Sequence, residues 1–287
     1  MEAQLLEGKK IAAESQEQIK AAIQKFSAKG LEKPCLVALQ AKVDSVSEWY
    51  INQQEKLAAK LGIDFRKISP DRISDQRSFL KELHEVDKNP KVHGVFLAMP
   101  FPKDFKVEQI VRNFDPTKDV EGINPATLGL IVHRQTVLIP PTAYAAFTLI
   151  QYTGIELRGK KAVVVGQSAI VGRPILLLLS ENRVTTTLCH TGTSEEDLRK
   201  FVSESDIVVA CAGKPGLIKG DWVRKGAIVI DVGTTEVNGK LVGDVEFESA
   251  SRKASFITPV PGGVGPLTVT MLMKNLIRAY EWQKGFS

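Results

Sequence analysis

The sequence predicts an α/β protein of two domains, a layered α/β domain followed by one built on a parallel sheet. Three observations carry that prediction. Strand-like apolar runs alternate with helical patterns from the N-terminus onward. Residues 160–174, K-K-A-V-V-V-G-Q-S-A-I-V-G-R-P, read in order as strand, tight glycine turn and helix start. Between the two, Pro140 and Pro141 interrupt the pattern ahead of a helix from about Thr142 to Tyr152, which marks a domain boundary. A chain of 287 residues is long enough for two such cores.

The elements follow from local pattern. Residues 9–26 carry Ile11, Ile19, Ile23 and Phe26 at helical spacing, with Gly30 just past the end. Cys35 to Gln40 reads as a buried strand. The capping-box pattern Ser45 to Glu48 then starts a helix that Gly62 ends. Residues 63–68 alternate as a strand, Phe79, Leu80, Leu83 and Val86 mark a helix, and residues 92–97 form a third strand. Two loops follow, M-P-F-P at 99–102 and D-P-T-K-D-V-E-G at 115–122. Loops in such positions line the ligand cleft of open α/β sheets.

In the second half, Ala162 to Val165 is a β-branched run of strand length, and Gly166 permits a backbone conformation that other residues resist. Ser168 is placed to cap a helix running over residues 170–180. Free amides at that helix start favour a phosphate, so the turn reads as a nucleotide seat. Ser168 stands where the dinucleotide fingerprint G-x-G-x-x-G has its second glycine, and the next glycine is Gly172. Further strands at 185–188, 207–211 and 227–231 complete a Rossmann-like parallel sheet. The loops G-K-P-G (213–216) and that following Asp231-Val232-Gly233 open at its carboxyl edge. T-P-V-P-G-G-V-G-P-L-T (258–268) leads into a last apolar helix through Leu272, Leu276 and Ala279.

Composition narrows the function classes. No apolar run approaches the roughly 20 residues of a membrane span, and the first residues lack a signal-peptide pattern, so the expected address is the cytoplasm. Cys35, Cys189 and Cys211 lie in or beside apolar strands without metal-site spacing, and no metal is expected. Net charge is +5 and the pI is near 9.0, which suits an anionic small molecule. Basic residues are scattered among acids with no aromatic-interleaved stripe, which argues against nucleic acid.

Six motifs occur in order: S-E-W-Y-I (47–51), T-K-D-V-E-G (117–122), V-V-V-G-Q-S-A-I-V-G-R-P (163–174), C-H-T-G-T (189–193), V-G-D-V (242–245) and the proline-glycine loop at 258–268. Over essentially its whole length the chain closely resembles the methylenetetrahydrofolate dehydrogenase/cyclohydrolase (FolD) family of one-carbon metabolism. The resemblance implies a folate-binding catalytic domain of residues 1–141 and 269–287, completed by the C-terminal helix. It also implies a Rossmann NAD(P)-binding domain of residues 142–268 and a cleft between the two. A cytoplasmic homodimer is implied, with folate as a small-molecule substrate and no membrane partner. The family oxidises 5,10-methylene-tetrahydrofolate by hydride transfer to NADP or NAD, then hydrolyses the methenyl product. Hydride transfer is mainly a positioning task, whereas hydrolysis needs a proton shuttle.

Carried over residue by residue, the resemblance implies Tyr50, Gln54 and Glu121 at the catalytic positions. The folate would be held by Tyr50, Ala98, Glu121, Pro261, Gly262 and Gly263. Gly166, Gln167, Ser168, Arg173, Thr191 and Thr234 are the cofactor candidates. Several positions depart from the family pattern. Its shuttle lysine, the first in Y-x-x-x-K-x-K, is Gln54 here, and an amide has no useful proton to exchange near neutrality. Lys56 fills the second lysine place but lies two residues, about 200°, around a helix. The family's V-Q-L-P is Leu97-Ala98-Met99-Pro100, without the amide that assists the lysine, and its second aspartate in K-D-V-D-G is Glu121. P-C-T-P-x-G is Pro140-Pro141-Thr142-Ala143-Tyr144-Ala145. Gln167 replaces an arginine suited to a 2′-phosphate, yet Cys189, His190 and Thr191 supply no acid for the ribose hydroxyls of NAD; family habit tips the expectation to NADP. The reading is a methylenetetrahydrofolate dehydrogenase with weak or absent cyclohydrolase activity. Its competitors are a non-catalytic folate- or dinucleotide-binding paralogue and an oxidoreductase of another reduced pterin.

Overall fold

Two parallel sheets organise the computed structural model, which describes residues 2–69, 73 and 75–286. One compact unit is Glu14–Pro141 with Val269–Ser287, and the other is Met1–Ala13 with Thr142–Thr268. The sequence reading placed residues 1–13 in the folate-side domain. By contacts they group with the other unit, where strand β1 (Gln4–Leu5) adds in parallel to a strand some 250 residues away, Gln4 opposite Phe256 and Leu5 opposite Ile257. Helix α1 (Gly8–Ala28) follows.

In the first unit, β2 (Cys35–Gln40) is buried at every position. Its alternate residues serve two cores. Leu36 and Ala38 pack with Ile51, Phe96 and Leu276, while Cys35, Val37 and Leu39 pack with Phe79 and Leu83. A strand covered on both faces reads as a continuous apolar run, as this one does. Helix α2 (Ser45–Leu61) begins one residue earlier in capping terms than its sequence suggests. Asp44 rather than Ser45 caps it, the Ser47 amide donating to Asp44 Oδ1 at 3.0 Å. Glu48 is thereby free to pair with Lys67 at 2.7 Å. Gly62, at φ +81°, ends the helix in the left-handed region.

Next come β3 (Asp64–Ile68), α3 (Gln76–Lys88) and β4 (Gly94–Ala98), giving the sheet order β3-β2-β4. Short helices α4 (Val107–Arg112) and α5 (Pro125–Val132) flank the loop that carries Lys118, Asp119 and Glu121. Lys118 is buried. Its ammonium donates to the Asp87 carbonyl and, at 3.0 Å, to that of Asn89, closing the C-terminus of α3.

In the second unit, α6 (Pro141–Tyr152) precedes β5 (Lys161–Val165), α7 (Gly172–Glu181), β6 (Thr185–Cys189), α8 (Glu195–Glu204), β7 (Ile207–Ala210) and β8 (Ile228–Asp231). The hairpin β9 (Thr235–Val237) with β10 (Lys240–Val242), helix α9 (Phe247–Ser251) and β11 (Phe256–Ile257) follow. The six-stranded sheet runs β1-β11-β8-β7-β5-β6, entirely parallel. Strand order reverses between β5 and β7, the point at which ligands bind in open α/β sheets. Ser168 does not cap α7, contrary to the sequence reading. The helix starts at Gly172 with Val171 as its cap residue, and Ser168 Oγ accepts from the Val171 amide at 3.2 Å within the preceding turn.

Helix α10 (Val264–Gln283) closes the chain, and its later residues complete the first unit. Leu272, Leu276 and Tyr280 are fully buried there. Asn275 Nδ2 donates to the carbonyls of Val120 (2.8 Å) and Ile139 (2.6 Å), tying the helix to both loops. No helix among the described residues is long and apolar enough to cross a membrane.

Candidate active site

Tyr50 and Gln54 are four residues apart on α2 and therefore share a face. Gln54 is 0% exposed; its amide interacts with the Tyr50 hydroxyl, but no hydrogen bond of full geometry satisfies Oε1 or Nε2 among the described residues. Lys56 is exposed, on the other side of the helix, as the 200° turn requires. Tyr50 is half-buried and packs on Phe96, ring centroids 5.4 Å apart. Burial raises its hydroxyl above the ordinary phenol range, and the negative charge of Glu121 adds to the shift.

Ala98 ends β4 and is 1% exposed. Glu121 reaches it from the neighbouring loop. Val95 and Asp119 form a parallel bridge, and two residues further along Glu121 Oε2 accepts from the Leu97 amide at 2.9 Å. Burial pushes the Glu121 carboxyl up to about 8, with buried Asp119 adding repulsion and the Leu97 bond opposing both. Asp119 itself is spent on the backbone, accepting from Ile123 (3.2 Å) and Asn124 (2.8 Å). Tyr50, Gln54, Ala98 and Glu121 thus lie together in the first unit. Gln40, not singled out by sequence reasoning, belongs with them: it is 0% exposed, pairs with Ala98 in the β2/β4 register, and has an unpartnered Oε1. A glutamine closing an apolar strand was the available signal.

The remaining substrate candidates, Pro261, Gly262 and Gly263, fall in the second unit. Gly262 takes φ +118° and accepts from the Gly8 amide at 2.9 Å, while the Gly263 amide donates to the Pro259 carbonyl at 2.8 Å. That amide serves the turn itself. A Cβ at Gly8 would stand 1.8 Å from the Gly263 carbonyl oxygen, so α1 starts directly against this loop.

The glycine turn after β5 is closed as tightly. Gly166 has φ +124°, a Cβ there would stand 2.2 Å from the Cys211 oxygen, and one on Gly172 would stand 1.8 Å from the Gly166 oxygen. The amides of residues 167–170 make no hydrogen bond among the described residues, leaving donors for an anion. Beside them is a cavity of about 410 Å³ at the carboxyl ends of β5, β6 and β7, with Val165, Leu198 and Leu217 as apolar walls. Gly166, Gln167, Ser168 and Thr191 line it, whereas Arg173 and Thr234 do not. Lys214, in the loop after β7, does, and its ammonium has no partner among the described residues. His190 lines it too, but its Nδ1 accepts from the Gly192 amide at 3.1 Å and so serves to fold the turn that presents Thr191. An apolar slot with a polar, cation-bearing rim beside free amides fits the adenosine and phosphates of a dinucleotide. Asp244 Oδ2 braces the loop by accepting from Ala212 (2.6 Å) and Gly213 (2.9 Å), and Asp231 accepts from Gly233, Asp244 and Val245. These two carboxylates hold backbone in place.

Residues 6–121 match the family profile described as tetrahydrofolate dehydrogenase/cyclohydrolase, catalytic domain, and residues 140–284 that of its NAD(P)-binding domain. The chain belongs to the tetrahydrofolate dehydrogenase/cyclohydrolase family. It is 40% identical over 280 residues to a bifunctional protein FolD of Moorella thermoacetica, covering 97% of this chain and 99% of that one. It is 39% identical to that of Geotalea uraniireducens, covering 96% and 98%. Among solved structures it resembles the Trypanosoma brucei methylenetetrahydrofolate dehydrogenase-cyclohydrolase complexed with NADP cofactor and inhibitor, with TM-score 0.92, 32% identity and 98% of each chain covered. The bifunctional enzyme of Thermoplasma acidophilum aligns with TM-score 0.91 and 33% identity, covering 98% of this chain and 100% of that one. Residues 140–284 thus match the family's NAD(P)-binding domain, and the cofactor is NADP or NAD.

Proposed function

We propose that this protein oxidises 5,10-methylene-tetrahydrofolate to the 5,10-methenyl compound with NAD(P) and contributes little to hydrolysis of the product. A bound NAD(P) supplies the hydride acceptor; the protein's residues supply position. Tyr50 packs the folate ring system and Glu121 accepts from its polar edge. Gly166, Gln167, Ser168 and Thr191 hold the cofactor.

The observation that carries the second half of the reading is Gln54. The position that would shuttle a proton holds an amide, fully buried, and Lys56 lies on the exposed face of the same helix. Loss of general acid–base help lowers hydrolysis by roughly 10²- to 10⁴-fold. Purified protein is expected to reduce NADP or NAD on addition of 5,10-methylene-tetrahydrofolate while hydrolysing 5,10-methenyl-tetrahydrofolate at close to the buffer rate. Robust hydrolysis overturns the second half, and no cofactor reduction overturns the first.

NADP is the preferred cofactor in this reading. The residues lining the cavity beside the glycine turn include no carboxylate to claim the ribose hydroxyls of NAD, and Lys214 offers an unpaired charge for a 2′-phosphate. The working species is a cytoplasmic homodimer, which light scattering on the purified protein tests.

A further inference from the structure

We infer that Gln40 is a folate-positioning residue, its amide standing in for the one that Ala98 lacks. The inference rests on the folate reading above and assigns a new role within that site. Gln40 and Ala98 are direct partners in the parallel register of β2 and β4. Such partners have backbones about 4.8 Å apart and project to the same face. That face is fixed by the packing: Leu36 and Ala38, at alternate positions before Gln40, share a core cluster with Phe96, Ala98 and Ile51, against which Tyr50 packs. Gln40 therefore projects to the side of the sheet that α2 covers with Tyr50 and Gln54. A glutamine side chain is long enough to bring an amide from the β2 position into the space next to Ala98.

The orientation of that amide is set. Gln40 Nε2 donates to Ser47 Oγ at 3.0 Å, and Ser47 is itself held by the Asp44 cap, which leaves Gln40 Oε1 pointing elsewhere as an acceptor. Gln40 Oε1 is buried and unpartnered, and on the same side of the sheet the Gln54 amide is buried with only the Tyr50 hydroxyl beside it and no hydrogen bond of full geometry. Burying an unsatisfied acceptor is costly, and the Gln40 Oε1 on the side of the sheet that carries Tyr50 is accounted for by a ligand with a matching donor. Gln40 Oε1 fits an N–H donor of the reduced pterin.

Moving the amide between strands tests this. Steady-state kinetics with 5,10-methylene-tetrahydrofolate and calorimetric binding of tetrahydrofolate would be compared for wild type, Gln40→Leu and the double variant Gln40→Leu/Ala98→Gln. The single variant is expected to raise the KM for folate and weaken tetrahydrofolate binding at least about 10-fold, with the KM for NAD(P) unchanged and thermal stability kept. The double variant is expected to recover most of the loss. Unchanged folate parameters in Gln40→Leu, or a loss shared equally by both substrates, overturn the inference. So does failure of the folded double variant to recover. Wild type that binds no tetrahydrofolate sinks the folate reading itself, a result distinct from any of these. A variant that fails to fold is replaced by Gln40→Met, judged by the same two readouts.

Discussion

Glu121 Oε2 accepts a hydrogen bond from the backbone amide of Leu97 at 2.9 Å. The carboxyl is thereby fixed against the end of β4, two positions beyond the bridge between Val95 and Asp119. An aspartate, one methylene shorter, is the family's residue here, and in this chain the longer stem reaches a backbone contact.

The same residue links proton binding to stability. Burial raises the Glu121 carboxyl from 4.5 to about 8 in the folded protein, so the folded state holds a proton that the unfolded state releases at lower pH. Its contribution to stability is full below about 4.5, declines as pH rises toward about 8 and is gone above that. Glu121→Gln keeps an acceptor for Leu97 and removes the titration. Melting temperature against pH should fall less steeply for this variant than for wild type across the window. Buried Asp119 and Asp231 are shifted in the same direction and remain in both proteins, so the difference reports Glu121. Parallel curves would count against the protonated carboxyl.

Gln54 offers a prediction in which stability and function move oppositely. Its buried amide makes no hydrogen bond of full geometry, so Gln54→Met, of similar volume, is expected to stabilise the ligand-free protein by about 1–3 kcal/mol while weakening tetrahydrofolate binding. Gln54→Lys puts an amine four residues from Tyr50 on the same helix face. It should raise methenyl-tetrahydrofolate hydrolysis at least about 10-fold, more in combination with Ala98→Gln. Chemical denaturation checks the first variant, and a hydrolysis assay against buffer checks the second. A lysine variant that stays folded without faster hydrolysis would show that the missing amine does not limit the reaction.

Lys214 decides between cofactors if its charge meets a 2′-phosphate. Lys214→Glu is expected to weaken binding of adenosine 2′,5′-bisphosphate at least about 10-fold and to leave adenosine 5′-monophosphate within about 2-fold, with the effect shrinking at high salt. Arg173→Ala, outside the cavity, should change neither. Calorimetry with the two nucleotides reads this without turnover. Equal losses for both would reduce Lys214 to a general attraction for anions.

Much of this architecture was legible in the chain because it is local. The run Cys35–Gln40 matched its strand to the residue, since a strand buried on both faces reads as a near-continuous apolar run, and Gly62 marked the end of α2 through a conformation glycine adopts at little cost. What escaped was set by distant partners. Gln4–Leu5 has too few residues to show a period and is a strand only because Phe256–Ile257 lies beside it. At the start of α2, Asp44 and Ser45 are both capping residue types, and Ser47 decides between them. The G-K-P-G loop was expected at the carboxyl edge of the sheet, but that Lys214 itself lines the cavity depends on the order β7-β5-β6, which no local pattern singles out.

Two glycines in helices make a final paired prediction. A Cβ on Gly172 would stand 1.8 Å from the Gly166 oxygen and 2.7 Å from its carbonyl carbon, and both are backbone atoms that cannot turn aside. Gly172→Ala must therefore open the turn between β5 and α7. The expected outcome is destabilisation by about 3 kcal/mol, with binding of NADP and NAD lost. Tyr50 and Glu121 lie in the first unit, so tetrahydrofolate binding is expected to be largely retained in Gly172→Ala. Gly129, in α5, has open space within 4 Å of its Cβ position. There the same substitution only reduces the freedom of the unfolded chain and favours helix, so Gly129→Ala is expected to stabilise by about 0.5–1 kcal/mol. Denaturation of both variants, with calorimetric titration of each ligand, separates a clash at the nucleotide turn from the general effect of adding a methyl group. Retained dinucleotide binding in Gly172→Ala would mean that the turn can yield without losing its ligand.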